Sequence, residues 1–213
     1  MTERISPQNR EEWLDCREQQ GIGGSEAASV ADVSPWKSRI QLWREKTGRA
    51  KPKDLSGVAY VQEGKRMEPA VREFFKALHQ EYDVEYHEFD ILFQTETPFI
   101  FATLDGEITD VNSGERGILE IKNVAPTGKA AWEQWNGKIP DHYYYQILHQ
   151  LIATNYPFAI LVAALRGLDG SITIREYEFR AADCAEDMSY YKTMAEIFWG
   201  WVEKDQMPPM PIG

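Results

Sequence analysis

Two cysteines among 213 residues are too few for a disulfide framework. Cys16 and Cys184 also lie far apart with no Cys-x-x-Cys spacing, which excludes the thiolate sets that hold structural zinc or an iron–sulfur cluster. Both read as reduced and structural. No apolar run approaches the roughly 20 residues that a bilayer-spanning helix needs. The opening MTERISPQNREEW lacks the apolar core of a secretory signal, so the expectation is a cytoplasmic protein. Positive charge is scarce too: 23 Lys and Arg stand against 34 Asp and Glu, a formal net charge of −11. A uniform negative field repels phosphate and argues against general nucleic-acid affinity. Internal repeats and low-complexity segments are missing.

The positive charge that is present is concentrated. Between Lys37 and Lys53 the chain carries Lys37, Arg39, Arg44, Lys46, Arg49, Lys51 and Lys53 against one acid, Glu45. This is either a solvated helix and loop or a basic lobe able to hold a polyanion. Hydrophobic content of 43% suits a globular domain, and the length suits one domain spanning 1–213. SPQNREEWLDCREQQ, SRIQLWREKTG and the longer segment around EGKRMEPAVREFFKALHQEY read as helices, and Ser25 in GIGGSEAASV reads as the N-cap of a short one. From about residue 81 the pattern turns to strands: VEYHEFDILFQ, FIFATLDGEI, RGILEIKNV, FAILVAALRG and SITIREYEF. PDHYYYQILHQLIATN interrupts them as a helix, and another helix closes the chain. The order predicts an α/β fold, a mixed central sheet flanked by helices, with a helical portion of about 1–80 wrapping a mixed-sheet core of about 81–213.

Asp105, Glu120 and Lys122 carry the chemistry. Alternation along a strand puts Glu120 and Lys122 on one face and Ile121 on the other. If FIFATLD pairs with GILEIKN as a hairpin, Asp105 comes near Glu120. Two carboxylates in one site repel unless a proton or a cation intervenes. All-oxygen ligands select Mg²⁺ or Mn²⁺ over zinc. Lys122 would then orient or deprotonate a water, or stabilise charge on a phosphate, as phosphodiester hydrolysis requires. The plain alternative is an exposed Glu–Lys pair on an edge strand, worth under about 1 kcal/mol.

These residues, with EGKRMEPAVREFF upstream, resemble the PD-(D/E)XK nuclease superfamily, and within it the lambda-exonuclease and YqaJ-like viral recombinase group. WLDCREQQGIGGSEAASVADVSPW, LWREKTG and PDHYYYQILHQL are similar to further segments of that group in the same chain order, over roughly residues 13–165. The resemblance implies a restriction-endonuclease-like core in which Asp105, Glu120 and the Ile121 carbonyl bind metal, with Glu68 as an additional ligand. Lys122 and Gln146 would act on the nucleophilic water or the scissile phosphate. Arg17, Ser25 and Thr103 would form a pocket for a terminal 5′-phosphate, with Tyr143 as site wall and Arg39 and Arg44 on the DNA path. Leu104 replaces the proline of the motif, and Thr95, with Glu96 adjacent, stands where some members carry a further acid.

The implied activity is a Mg²⁺-dependent 5′→3′ exonuclease that trims one strand of duplex DNA to leave 3′ tails. Mn²⁺ is a possible substitute. The expected partners are double-stranded DNA ends and a single-strand annealing protein, in a homotrimeric ring with the basic segment facing its channel, in a phage or prophage setting and with no membrane. A dimeric endonuclease of the same superfamily and a non-catalytic DNA-end-binding protein are the competing functions. His142 and His149 are expected to pack or cap. Trp36 and Trp43 are expected in the core, with base stacking as the alternative. The cluster IFWGWV is either core or a partner patch.

Overall fold

The computed structural model describes residues 1–55 and 57–210. In chain order the elements are β1 (Thr2–Ile5), α1 (Arg10–Gln20), β2 (Ile22–Gly23), a 3₁₀ turn (Gly24–Glu26), α2 (Ala27–Val30), α3 (Arg39–Lys46) and α4 (Ala59–Leu78). Then come β3 (Tyr82–Glu85), β4 (Ile91–Gln94), β5 (Thr97–Ala102), β6 (Gly106–Asp110) and β7 (Arg116–Val124). The chain closes with α5 (Lys129–Glu133), α6 (Asp141–Thr154), β8 (Phe158–Arg166), β9 (Ile172–Arg180) and α7 (Ala185–Glu203).

The apolar run of β8 has no polar face, and such a run suits a strand covered on both sides. Ala159, Leu161, Ala163 and Leu165 pack with Ile147, Leu148 and Leu151 of α6. Phe158, Ile160, Val162 and Ala164 join Val71 and Phe75 of α4 in a second cluster on the opposite face. The strand thus lies inside a five-stranded sheet ordered β3-β6-β7-β8-β9, with helices against both faces. Only β7 and β8 run parallel there, and their connection carries α5 and α6, the crossover that parallel neighbours require. Gly117 of β7 faces Phe158, and a Cβ at this position would lie 2.4 Å from the Phe158 ring.

Three expectations are corrected. The single central sheet is accompanied by a second sheet of four strands, β1-β4-β5-β2, in which β2 runs parallel to β5 and the other pairs are antiparallel. The N-terminal portion therefore contributes strands as well as helices: Thr2–Ile5 pairs with Ile91–Gln94, and Ile22–Gly23 with Ile100–Phe101. FIFATLDGEI is two strands in two sheets. β5 ends at Ala102, and Gly106 opens β6, which pairs with β7 in the register Gly106 opposite Leu119. The hairpin is built by GEITD, and Asp105 sits at the junction between the sheets.

Candidate active site

Alternation along β7 sorts its side chains as the period of two requires. Leu119 and Ile121 face the α4 cluster, while Glu120 and Lys122 face α6. Gln146 and Gln150, four residues apart on α6, share one helix face and both reach Glu120. Gln146 Nε2 donates to Glu120 Oε1 at 2.6 Å and Gln150 Nε2 to Oε2 at 2.6 Å. The Lys122 ammonium donates to Oε1 as well. Because β7 lies between β6 and β8 and Glu120 is only 2% exposed, the solvated edge-strand pair is excluded.

Asp105 reaches the same place from the sheet junction, its Oδ2 accepting from the Ile121 N–H at 2.8 Å. Arg72 of α4 donates from Nε to the Asp105 carbonyl at 2.7 Å, and its guanidinium lies 3.7 Å over the Tyr86 ring. Glu68 stands one helical turn before Arg72.

Burial, followed by the Glu120 and Glu68 charges, pushes the Asp105 carboxyl well above its ordinary value against the opposing pull of Lys122. Glu68 is raised by burial and then by Glu120. Burial alone would lower Lys122, but Glu120 and Asp105 outweigh it and hold the ammonium charged. Glu68, Asp105 and Glu120 gather around Lys122, with Lys46 and Lys65 also lining the cleft. Gln150 Oε1 is buried there without a hydrogen-bond partner. An all-oxygen donor set fits a hard divalent cation.

Glu120, Asp105 and Glu68 do not form a tight carboxylate knot. Among the described residues, the trio whose ligand atoms all lie within 4.8 Å of one another is His87, Asp90 and Glu107. Arg4 already bridges two of that trio, donating to Asp90 at 2.5 Å and Glu107 at 2.6 Å, and Tyr156 OH donates to Glu107 at 2.5 Å.

A cleft of about 970 Å³ gathers Glu68, Asp105, Glu120, Ile121, Lys122 and Gln146 with Arg17, Ser25 and Thr103. The Arg17 guanidinium lies 4.3 Å from the centre of the Trp13 ring and 5.7 Å from that of Phe101. It makes no ion pair among the described residues, and burial, only partly offset by Glu26, lowers its pKa. Gly23 leaves room for it, since a Cβ there would come within 3.3 Å of Nη2. Ser25 is not an N-cap: it lies inside the 3₁₀ turn, and α2 beyond has four residues, too few for a sizeable dipole.

Other expected residues do not line the cleft. Tyr143 stands beside Lys122, its ring centre 5.1 Å from Nζ. Arg39 donates to the Val30 carbonyl at 2.9 Å, and Arg44 is exposed on α3. Three of the seven cations of the basic segment are ion-paired: Lys37 with Glu45, Lys46 with Glu26 and Arg49 with Asp205. Glu96 bonds the amino terminus at 3.2 Å and takes no part in the site. His149 packs as expected, with partners in Tyr191 and Phe101. Trp43 is core, whereas Trp36 is 67% exposed. In the IFWGWV cluster Phe198 is core and Trp199 stacks on Phe99. Sequence reasoning missed Arg72 and Gln150. Each lies four residues after a named site residue on a helix, and that spacing was the available signal.

The two sheets, their helices and the acidic strand pair define the restriction-endonuclease-like PD-(D/E)XK fold. Residues 12–157 match the model of the YqaJ-like viral recombinase domain, and the chain belongs to that family. It is 33% identical over 147 residues to the uncharacterized protein YqaJ of Bacillus subtilis (strain 168), a match covering 68% of this chain and 43% of that protein. The chain thus spans less than half the length of this relative. An alkaline exonuclease from Laribacter hongkongensis superposes with a TM-score of 0.65 at 21% identity, covering 92% of this chain and 94% of that one. The same exonuclease in complex with dAMP gives 0.60 at 20% identity, with the same coverage. No described helix is long and apolar enough to cross a membrane.

Proposed function

We propose that the chain is a Mg²⁺-dependent exodeoxyribonuclease acting 5′→3′ on one strand of a linear DNA duplex, releasing 5′-mononucleotides and leaving 3′ single-stranded tails for annealing. The observation that carries this reading is Arg17, a partly buried cation without an ion-pair partner among the described residues, in the same cleft as Asp105, Glu120 and Lys122. A forked guanidinium flanked by the hydroxyls of Ser25 and Thr103 suits a terminal phosphate. A phosphate pocket beside a hydrolytic centre selects ends.

Oxygens of Asp105, Glu120 and Glu68 with the Ile121 carbonyl would hold Mg²⁺, or Mn²⁺ in its place. When bound, the ion supplies polarisation of a phosphoryl oxygen and a more acidic water. Lys122, kept charged by Glu120, stabilises negative charge growing on the phosphate. Gln146 and Gln150 hold Glu120 in one rotamer through its two oxygens. Arg72 fixes the backbone at Asp105, so both carboxylates stay aimed at the cleft. The reading extends to a ring of three chains around DNA and an annealing protein as partner.

The test is digestion of linear and closed circular duplex, with 5′-phosphate or 5′-hydroxyl ends, in Mg²⁺ or EDTA. Linear phosphorylated DNA is degraded only with the metal, Lys122→Ala gives no product, and Arg17→Ala cleaves with weakened preference for phosphorylated ends. Digestion of the closed circle rejects end dependence, and equal wild-type rates on both ends reject the phosphate pocket.

A further inference from the structure

Trp36 is the one tryptophan among the exposed large hydrophobic side chains of the described residues, at 67% exposure, and it is held in place. Val33 and Ser34 donate backbone N–H groups to the Ala28 carbonyl at 2.9 and 3.1 Å. Ser34 Oγ accepts from the Trp36 and Lys37 N–H groups at 3.3 and 3.2 Å. Single exposed apolar side chains are common and need no explanation. This one ends a continuous row. Its ring meets His142 edge-on, with centres 4.7 Å apart and planes at 82°. His142 lies 4.2 Å from Tyr143, and the Tyr143 ring centre is 5.1 Å from Lys122 Nζ. Beside the row lies a hollow of about 470 Å³ lined by Val33, Pro35, Lys138, Asp141 and His142 among others. Lys138 is exposed there and makes no ion pair among the described residues.

Aromatic faces that accept any base, next to a cation for the backbone, are the parts of a single-strand path. We infer that Trp36, His142 and Tyr143 form a stacking track for unpaired bases of a DNA strand, running from the catalytic lysine to the surface, with Trp36 as the outer platform. This deepens the nuclease reading and rests on it: the site holds a locally melted strand, so the duplex opens beside the cleavage point. Trp36 is a positioning residue.

The test is binding without cleavage, in EDTA, of a fluorescent oligothymidylate of about twelve nucleotides and of an abasic chain of equal length. Wild type binds the oligothymidylate more tightly than the abasic chain. Trp36→Ala weakens oligothymidylate binding by about tenfold, Trp36→Phe keeps most of it, and neither changes abasic binding. The thermal melt of Trp36→Ala coincides with that of wild type, because the side chain is largely in solvent. Equal oligothymidylate affinity in Trp36→Ala and wild type overturns the track, and so does an equal loss on both probes. Cleavage of linear duplex by wild type in Mg²⁺ reports on the nuclease reading separately, so a protein that cleaves but ignores Trp36 sinks the track alone.

Discussion

His149 ties the helix that carries Gln146 and Gln150 to the strand that leads into Asp105, and acid should loosen this tie. The side chain is fully buried, with Nε2 2.9 Å from the Phe101 carbonyl and Nδ1 2.7 Å from Tyr191 OH. A carbonyl only accepts, so Nε2 carries the proton and Nδ1 accepts from the tyrosine. A second proton on the ring would turn the Tyr191 hydroxyl from donor to acceptor and place a charge in the core. Burial is the main cause that lowers the pKa from 6.5 to about 4. Above the ordinary value neither folded nor unfolded chain binds this proton, and the stability is complete. As pH falls from there, the unfolded chain takes up a proton that the folded one refuses, and stability is lost until the folded value is reached. Over the roughly two pH units between these values the loss amounts to about 2 to 3 kcal/mol. Urea unfolding of wild type and His149→Gln at neutral and acid pH measures it. A glutamine side chain does not ionise, so the variant, less stable at neutral pH through the disturbed Tyr191 bond, loses about 2 to 3 kcal/mol less on acidification. Parallel pH profiles for the two proteins would refute the reasoning.

Two more outcomes follow from the site and the core. Asp105 and Glu68 sit above their ordinary values, so as pH rises through that window the unfolded chain releases protons the folded chain keeps, and metal-free stability falls. The gain in Tm from added Mg²⁺ therefore grows as pH rises above the ordinary carboxylate values. A gain independent of pH, or one retained in full by Asp105→Asn, contradicts the donor set. Gly117→Ala forces a Cβ to within 2.4 Å of the Phe158 ring. It should cost about 2 kcal/mol and lower Tm by about 5 °C, read by calorimetry; an unchanged Tm would mean that Phe158 moves freely.

Much of the site was legible because its spacings are local. The strand period orients Glu120 and Lys122. The helix period also groups Gln146 with Gln150 and Glu68 with Arg72, a signal that sequence reasoning left unused. The junction at Asp105 was illegible. Apolar residues continue from Phe99 through Leu104, so FIFATLDGEI reads as one strand, while the change of sheet depends on which partner each half meets. The pairings of the basic segment were illegible for the same reason: Arg49 meets Asp205, 156 residues away, and Lys46 meets Glu26. Trp36 and Trp43 look alike in sequence, yet one is exposed over the partly buried His142 and Tyr143 while the other packs under α7, bonding the Trp201 carbonyl at 3.3 Å.

Residue order alone determined the chemistry on offer: oxygen ligands, one lysine among them, an arginine and glutamines, and the helices and strands that carry them. Those choices depend on backbone periods of two and 3.6, which act over a few neighbours. Tertiary structure decided which charges remain. It paired three of the seven cations of the basic segment, bridged Asp90 and Glu107 with Arg4, and left Arg17 without a counter-ion among the described residues. Coulombic pairing acts through space and is indifferent to distance along the chain.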